Sequence, residues 1–318
     1  MCLVSNTLGV FCMKIVWLLI VKVLSQGYIR TNRGSSNFDN FYFTVNGKFS
    51  IIFDTGSSAT WIIPNTFRSG GLNLGRNKVY PCSRSFMYGS GYGVTANQCV
   101  FGELSYQDVK WNTEVSVPNG PVSWWAHHGI VGTSLNSEFV KKYPLFTIVP
   151  QMNHMRIYTQ KIITPMQVLS QITSRGIEYG KWIIEGNIEV AMKSTRIEFE
   201  IDTGYPALSL TRPLWEETLR AIRVNGGRPT GQLTGGYGHI IDDCVQETVP
   251  DVYYTFGQWR KRVHARFFTA FHRNNQCIVY AIVLDQRESH IYIGTPFLRA
   301  TITQFDAASR RVGFRDTV

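Results

Sequence analysis

Ile51-Ile52-Phe53-Asp54-Thr55-Gly56-Ser57-Ser58 and Phe199-Glu200-Ile201-Asp202-Thr203-Gly204-Tyr205 decide how this chain is read. Each segment ends an apolar run in Asp-Thr-Gly, and the two copies lie 148 residues apart. Trp61-Ile62-Ile63 follows the first copy and Ala207-Leu208-Ser209-Leu210 the second, so both are flanked by strand-like sequence. At average composition Asp-Thr-Gly falls at about one position in five thousand, so two copies in one setting are not a chance pair. Two carboxylates brought face to face cannot both ionise, and a shared proton makes one an acid and the other a base.

Working outward, the landmarks recur in order. Phe38 to Ile63 reads as strand, Asn46-Gly47 turn and strand, the strongest short hairpin signal. Tyr80 to Phe101 is expected to form a second hairpin with its tip at Gly89-Ser90-Gly91-Tyr92-Gly93. His128-Gly129-Ile130-Val131-Gly132 closes an apolar pair with glycine, and Ile291-Tyr292-Ile293-Gly294 repeats that device in the second half. Between them, Thr164 to Ile172 reads as a helix with Thr164 as N-cap and Pro165 in its first turn, and Pro213 to Leu219 as another. The repeat has the size of a lobe, which implies two lobes that each deliver one aspartate to a shared cleft. The expected boundary lies near Gly180, dividing residues 26–180 from 181–318. Only two or three strands fit between Trp182 and Asp202, so the sheet joining the halves is expected to be reduced.

Bulk properties fit this plan. With 318 residues, 44% hydrophobic and 17% charged, the chain can bury a large core and is far from the disordered class. Aromatics at 13% and 28 glycines suit a mainly all-β protein rich in turns. The net charge of +10 is scattered, densest at Arg260-Lys261-Arg262, and reads as a solvated face because no nucleic-acid module accompanies it.

Lys14, the apolar run Ile15 to Val21 and small Ser25 read as a secretory leader over residues 1–25, too short to span a bilayer as a free helix. No stable membrane insertion is expected once it is removed, and Thr301–Val318 reads as a closing strand. Removal of the leader takes Cys2 and Cys12 and leaves Cys82, Cys99, Cys244 and Cys277, an even number that implies two disulfides. Three pairings are open; Cys82 and Cys99 lie almost symmetrically about the hairpin tip and could bridge its arms. No Cys-x-x-Cys or His-x-x-x-His spacing marks a metal site. Gly89-x-Gly91-x-Gly93 opens no helix, which argues against a phosphate loop, and Ser57 and Ser58 lack a serine-hydrolase arrangement.

From about Phe38 to the C-terminus the chain resembles the pepsin-like aspartic proteases. The resemblance rests on Ile52-Phe53-Asp54-Thr55-Gly56-Ser57-Ser58 with Trp61, and on Met87-Tyr88-Gly89-Ser90-Gly91, which matches the flap. Val249-Pro250-Asp251, Phe297-Leu298-Arg299, Phe305-Asp306 and Val312-Gly313-Phe314 extend it. It implies a bilobal, pseudo-symmetric β fold with few short helices, Asp54 and Asp202 as the catalytic pair, and Tyr88, Gly89 and Ser90 over the substrate. Trp61 would hydrogen-bond Tyr88. Thr55 and Thr203 would cross-link the two loops, with Gly56, Gly204 and Ser57 in support; Gly132 and Gly294 would pass close behind them. Cys244 and Cys277 would form the second disulfide, leaving Cys82 with Cys99. The implied activity is endopeptidase cleavage of extended polypeptides by a monomer in the secretory pathway, outside the cell or in an acidic vesicle. It needs no metal or organic cofactor, and no nucleic-acid partner is expected.

The chain departs from the family at Tyr205, where Ser or Thr is usual. Ser57 is expected to bond Asp54, whereas Tyr205 cannot do the same for Asp202, so the pair should titrate higher. Little room is left for a propeptide. The alternative is a weak or inactive homologue that binds peptide or protein in its cleft.

Overall fold

The computed structural model describes residues 28–32, 42–45, 49–63, 79–87, 93–106, 109–119, 129–151, 154–160, 165–233, 238–272, 275–284 and 290–317. The protein is mainly β with a few short helices. Period-two alternation builds the strands. Val109–Pro118 and Thr301–Asp306 alternate buried with more exposed positions along much of their length, so each lays one face on the core.

Among the described residues the largest sheet has thirteen strands; it carries the first Asp-Thr-Gly and pairs strands from the two halves of the sequence. Leu145–Pro150 pairs with Thr301–Asp306 at the junction, Ile148 opposite Thr303. On one side of that pair run Arg311–Asp316 and Val168–Gln171; on the other run His154–Tyr158 and Tyr28–Asn32. The expected reduction of this sheet is therefore corrected. Two strands, Ile183–Val190 and Lys193–Ile201, do occupy the segment after Trp182, but the junction takes its strands from elsewhere in sequence.

Phe49–Asp54 forms the predicted hairpin with Tyr42–Val45, although Asn46 and Gly47 lie outside the described residues. The second hairpin also forms, Val79–Met87 against Gly93–Tyr106. A correction concerns residues 164–172. Val168–Gln171 is a strand antiparallel to Arg311–Asp316, and Thr164 lies outside the described residues. The helix starts later, at Ser174–Tyr179, where Thr173 Oγ1 accepts from Gly176 N and Gly180 ends it in the left-handed region (φ 67°). A short apolar run does not tell helix from strand by periodicity, and pairing with the C-terminal strand settles it. The predicted helix at Pro213 to Leu219 is present within Arg212–Val224.

Aromatic side chains fill the core. Phe146 stacks on Phe305 across the junction at 4.6 Å, and Trp182 packs edge-on against both. Phe256, Phe297 and Phe314 form a second cluster under Trp259. Fully burying one such ring contributes about 1.5–3 kcal/mol. The basic run Arg260-Lys261-Arg262 is matched by carboxylates: Arg260 by Glu189, Lys261 by Asp316 and Arg262 by Asp251.

Two disulfides are present, Cys82–Cys99 and Cys244–Cys277, with Cα separations of 5.8 and 5.6 Å. The second closes a span of 33 residues. Replacing Cys244 and Cys277 together by Ala is expected to lower stability by about 3–4 kcal/mol through restored freedom of the unfolded chain. Urea denaturation is the check, with a larger m-value expected because the unlinked unfolded chain exposes more surface. No helix among the described residues is long and apolar enough to cross a membrane.

Candidate active site

The two Asp-Thr-Gly segments end on equivalent strand pairs. Phe49–Asp54 runs parallel to Gly129–Gly132, with Asp54 opposite Gly132, and Ile51, Ile52 and Phe53 are all buried. Lys193–Ile201 runs parallel to His290–Ile293, and Asp202 N donates to Ile293 O at 2.9 Å. A Cβ on Gly132 would stand 2.5 Å from Ala59 O, and one on Gly294 2.1 Å from Tyr205 O. Only a residue without a side chain fits behind each loop.

Reciprocal hydrogen bonds lock the loops together. Thr55 N donates to Thr203 Oγ1 at 2.9 Å and Thr203 N to Thr55 Oγ1 at 3.0 Å. Thr55 Oγ1 donates to Ile201 O at 2.8 Å, and Thr203 Oγ1 donates to Phe53 O. Both threonines are fully buried, so every bond satisfies a group that water cannot reach. Above this clamp, Gly56 N donates to Asp54 Oδ1 at 2.8 Å and Gly204 N to Asp202 Oδ1 at 2.7 Å.

The Asp54 and Asp202 carboxyl groups are brought together, each packed against the glycine of the opposite Asp-Thr-Gly. The glycines serve this contact by leaving space. A Cβ on Gly56 would lie 2.5 Å from Asp202 Cγ, and one on Gly204 2.9 Å from Asp54 Cγ. Neither glycine has a positive φ, so closeness to the opposite carboxylate is what demands glycine.

Burial pushes both carboxyls up. For Asp202 the negative charges of Asp54 and then Glu200 add to burial, and it stands well above the usual carboxylate value. Asp54 is raised less, because the bond from Asp202 and the Lys181 ammonium oppose its burial. Each carboxyl thus favours its protonated form more than a free aspartate does, and a single proton is shared by the pair.

Lys181, Glu200 and His290 complete the surroundings, and none of them was singled out from sequence. Lys181 Nζ lies 2.8 Å from Glu200 Oε1 and also donates to Gly56 O. His290 Nε2 lies 3.1 Å from Glu200 Oε2. Burial alone would raise Glu200, but the His290 bond and the Lys181 charge outweigh it and hold it below its usual value. The available signal was Glu200 itself, an acidic residue two places before Asp202 where the first copy has the buried Ile52.

Ser57 is corrected. Its Oγ engages the backbone of Ala59, at 3.3 Å from both O and N, and not Asp54. The Tyr205 ring stacks on Tyr292 with centroids 4.7 Å apart. Trp61 is fully buried and packs with Ile52, Val94 and Ile130. The hairpin-tip residues Tyr88, Gly89 and Ser90 lie outside the described residues. Among the described residues, no group of three or more His, Cys, Asp or Glu is placed to hold a metal ion.

No protein-family model matches the chain, and no curated protein sequence matches it either.

Proposed function

We propose that the chain is an aspartic endopeptidase of the bilobal, pepsin-like kind, with residues 26–180 and 181–318 as its two lobes and Asp54 and Asp202 as its catalytic pair. The observation that carries this reading is the close approach of two buried carboxyls, each delivered by its own Asp-Thr-Gly and each packed against the glycine of the other. A pair sharing one proton performs both halves of peptide hydrolysis. The Asp54 carboxylate takes a proton from water, whose oxygen bonds to the scissile carbonyl carbon. The Asp202 carboxyl gives its proton to the carbonyl oxygen. Collapse of the tetrahedral species breaks the C–N bond as the nitrogen takes up the proton held by Asp54. The hydroxyl proton returns to Asp202 and restores the starting state. No cofactor enters this cycle.

Substrate would lie extended beneath the hairpin tip at Tyr88, held by main-chain hydrogen bonds with bulky apolar side chains in flanking pockets. The two disulfides favour an oxidising compartment, in keeping with a secreted or vesicular enzyme acting as a monomer.

Digestion of an unfolded polypeptide from pH 3 to 7, with and without a statine-type inhibitor, tests the reading. Inhibitable cleavage is expected, following a bell-shaped profile whose rising limb lies above the ordinary aspartate range. Absence of turnover at every pH, with peptide still bound, would establish the non-catalytic alternative.

A further inference from the structure

Lys181 has no part in the catalytic cycle just described, yet it is the cation at the centre of the site. Its side chain is 31% exposed and that of Glu200 only 5%. The ammonium therefore lies between a buried anion and the more open side of the loop. Gly56, whose carbonyl accepts from Lys181, abuts the Asp202 carboxylate. On the far side of Glu200, His290 contacts its second oxygen and packs edge-on against Tyr292, which in turn stacks on Tyr205. Glu198 lies on the same strand face and is paired separately with Arg175 at 3.7 Å. Among the described residues, Lys181, Glu200 and His290 thus reach this site from three separate segments.

We propose that Lys181 is an electrostatic positioning residue. Its charge favours the singly ionised form of the Asp54–Asp202 pair, and Glu200 and His290 hold it in place. This rests on the endopeptidase reading for its catalytic meaning. Physically it follows from signs: a cation beside the pair favours losing the first proton, while the Glu200 anion opposes that loss. Burial of Glu200 makes Lys181 a fixed charge, because leaving would strip a buried carboxylate of its ammonium partner. Both carboxyls feel Lys181 as a lowering influence and Glu200 as a raising one.

The test compares pH profiles of kcat/KM for Lys181→Met and Glu200→Gln. It is paired with carboxyl NMR titration of protein carrying 13C-labelled aspartate, assigned with Asp54→Asn. Lys181→Met is expected to move the acid limb and the dyad titration up by about one pH unit, and Glu200→Gln to move both down. A structural role would lower activity at all pH values without moving the limbs. Should Lys181→Met fail to fold around a lone Glu200, the charge-balanced double variant Lys181→Met/Glu200→Gln removes that strain. Its titration is expected close to that of the unmodified protein, well above that of Glu200→Gln. Shifts in the same direction, or none, overturn the proposal, as does a double variant that titrates like Glu200→Gln. If the unmodified chain shows no turnover while the carboxyl titrations still shift oppositely, the endopeptidase reading falls and the electrostatic role stands.

Discussion

Asp54→Asn and Asp202→Asn are each expected to turn over an unfolded polypeptide about 10²–10⁴-fold more slowly than the unmodified chain, the range for losing a positioned proton-transfer group. Asn is close in shape to Asp, so the threonine clamp beneath it should persist, and the loss should fall on kcat with KM little changed. The Asp202 variant has a second, opposite signature. Asp202 is raised well above its unfolded value of 3.8 by burial and by the charge of Asp54. A carboxyl raised in the folded state is at its least costly when protonated, and it removes stability as pH climbs from the unfolded pKa through the folded one. Asp202→Asn should therefore melt higher than the unmodified protein at neutral pH and match it at about pH 3. Thermal melts at the two pH values check this. A variant that lost activity and also melted lower at neutral pH would show that Asp202 holds the fold together, contrary to its titration.

Thr203→Val should nearly match that loss by a different route. Valine keeps the shape of threonine but removes the hydroxyl that accepts from Thr55 N and donates to Phe53 O. Both partners are then left buried without a bond, at about 1–3 kcal/mol for each unsatisfied group. Since the same bonds set the distance between the loops, a displacement of the carboxylates by about 1 Å would cost roughly a further 10²-fold in rate. Urea denaturation and kcat/KM read the two effects. Thr203→Ser, which retains the hydroxyl, should recover most of both. Equal loss in Val and Ser variants would assign the effect to packing of the methyl group.

The paired aspartates were legible because a repeated tripeptide at the end of an apolar run is a local signal. The first hairpin was legible for the same kind of reason, since Asn46-Gly47 fits few other turns. Residues 164–172 were misread because Thr-Pro opens a helix and an edge strand equally well, and what separates them is pairing with Val312 and Phe314. Ser57 was expected to face Asp54, but Ala59 offers its hydroxyl both a donor and an acceptor two residues away. Lys181, Glu200 and His290 were invisible as a group because they come from a helix-to-strand link and two parallel strands.

From sequence alone came a mainly β chain, the two aspartates as one candidate site, and the four cysteines as two disulfides. These rest on patterns of neighbouring residues, which the chain carries before it folds. The tertiary structure alone decided that glycine is required for room beside the opposite carboxylate, that Ser57 turns away, and that a buried glutamate and a lysine flank the pair. Such facts depend on distances of a few ångströms between remote segments, and neither Coulomb attraction nor steric exclusion at that range is written in any local stretch of residues.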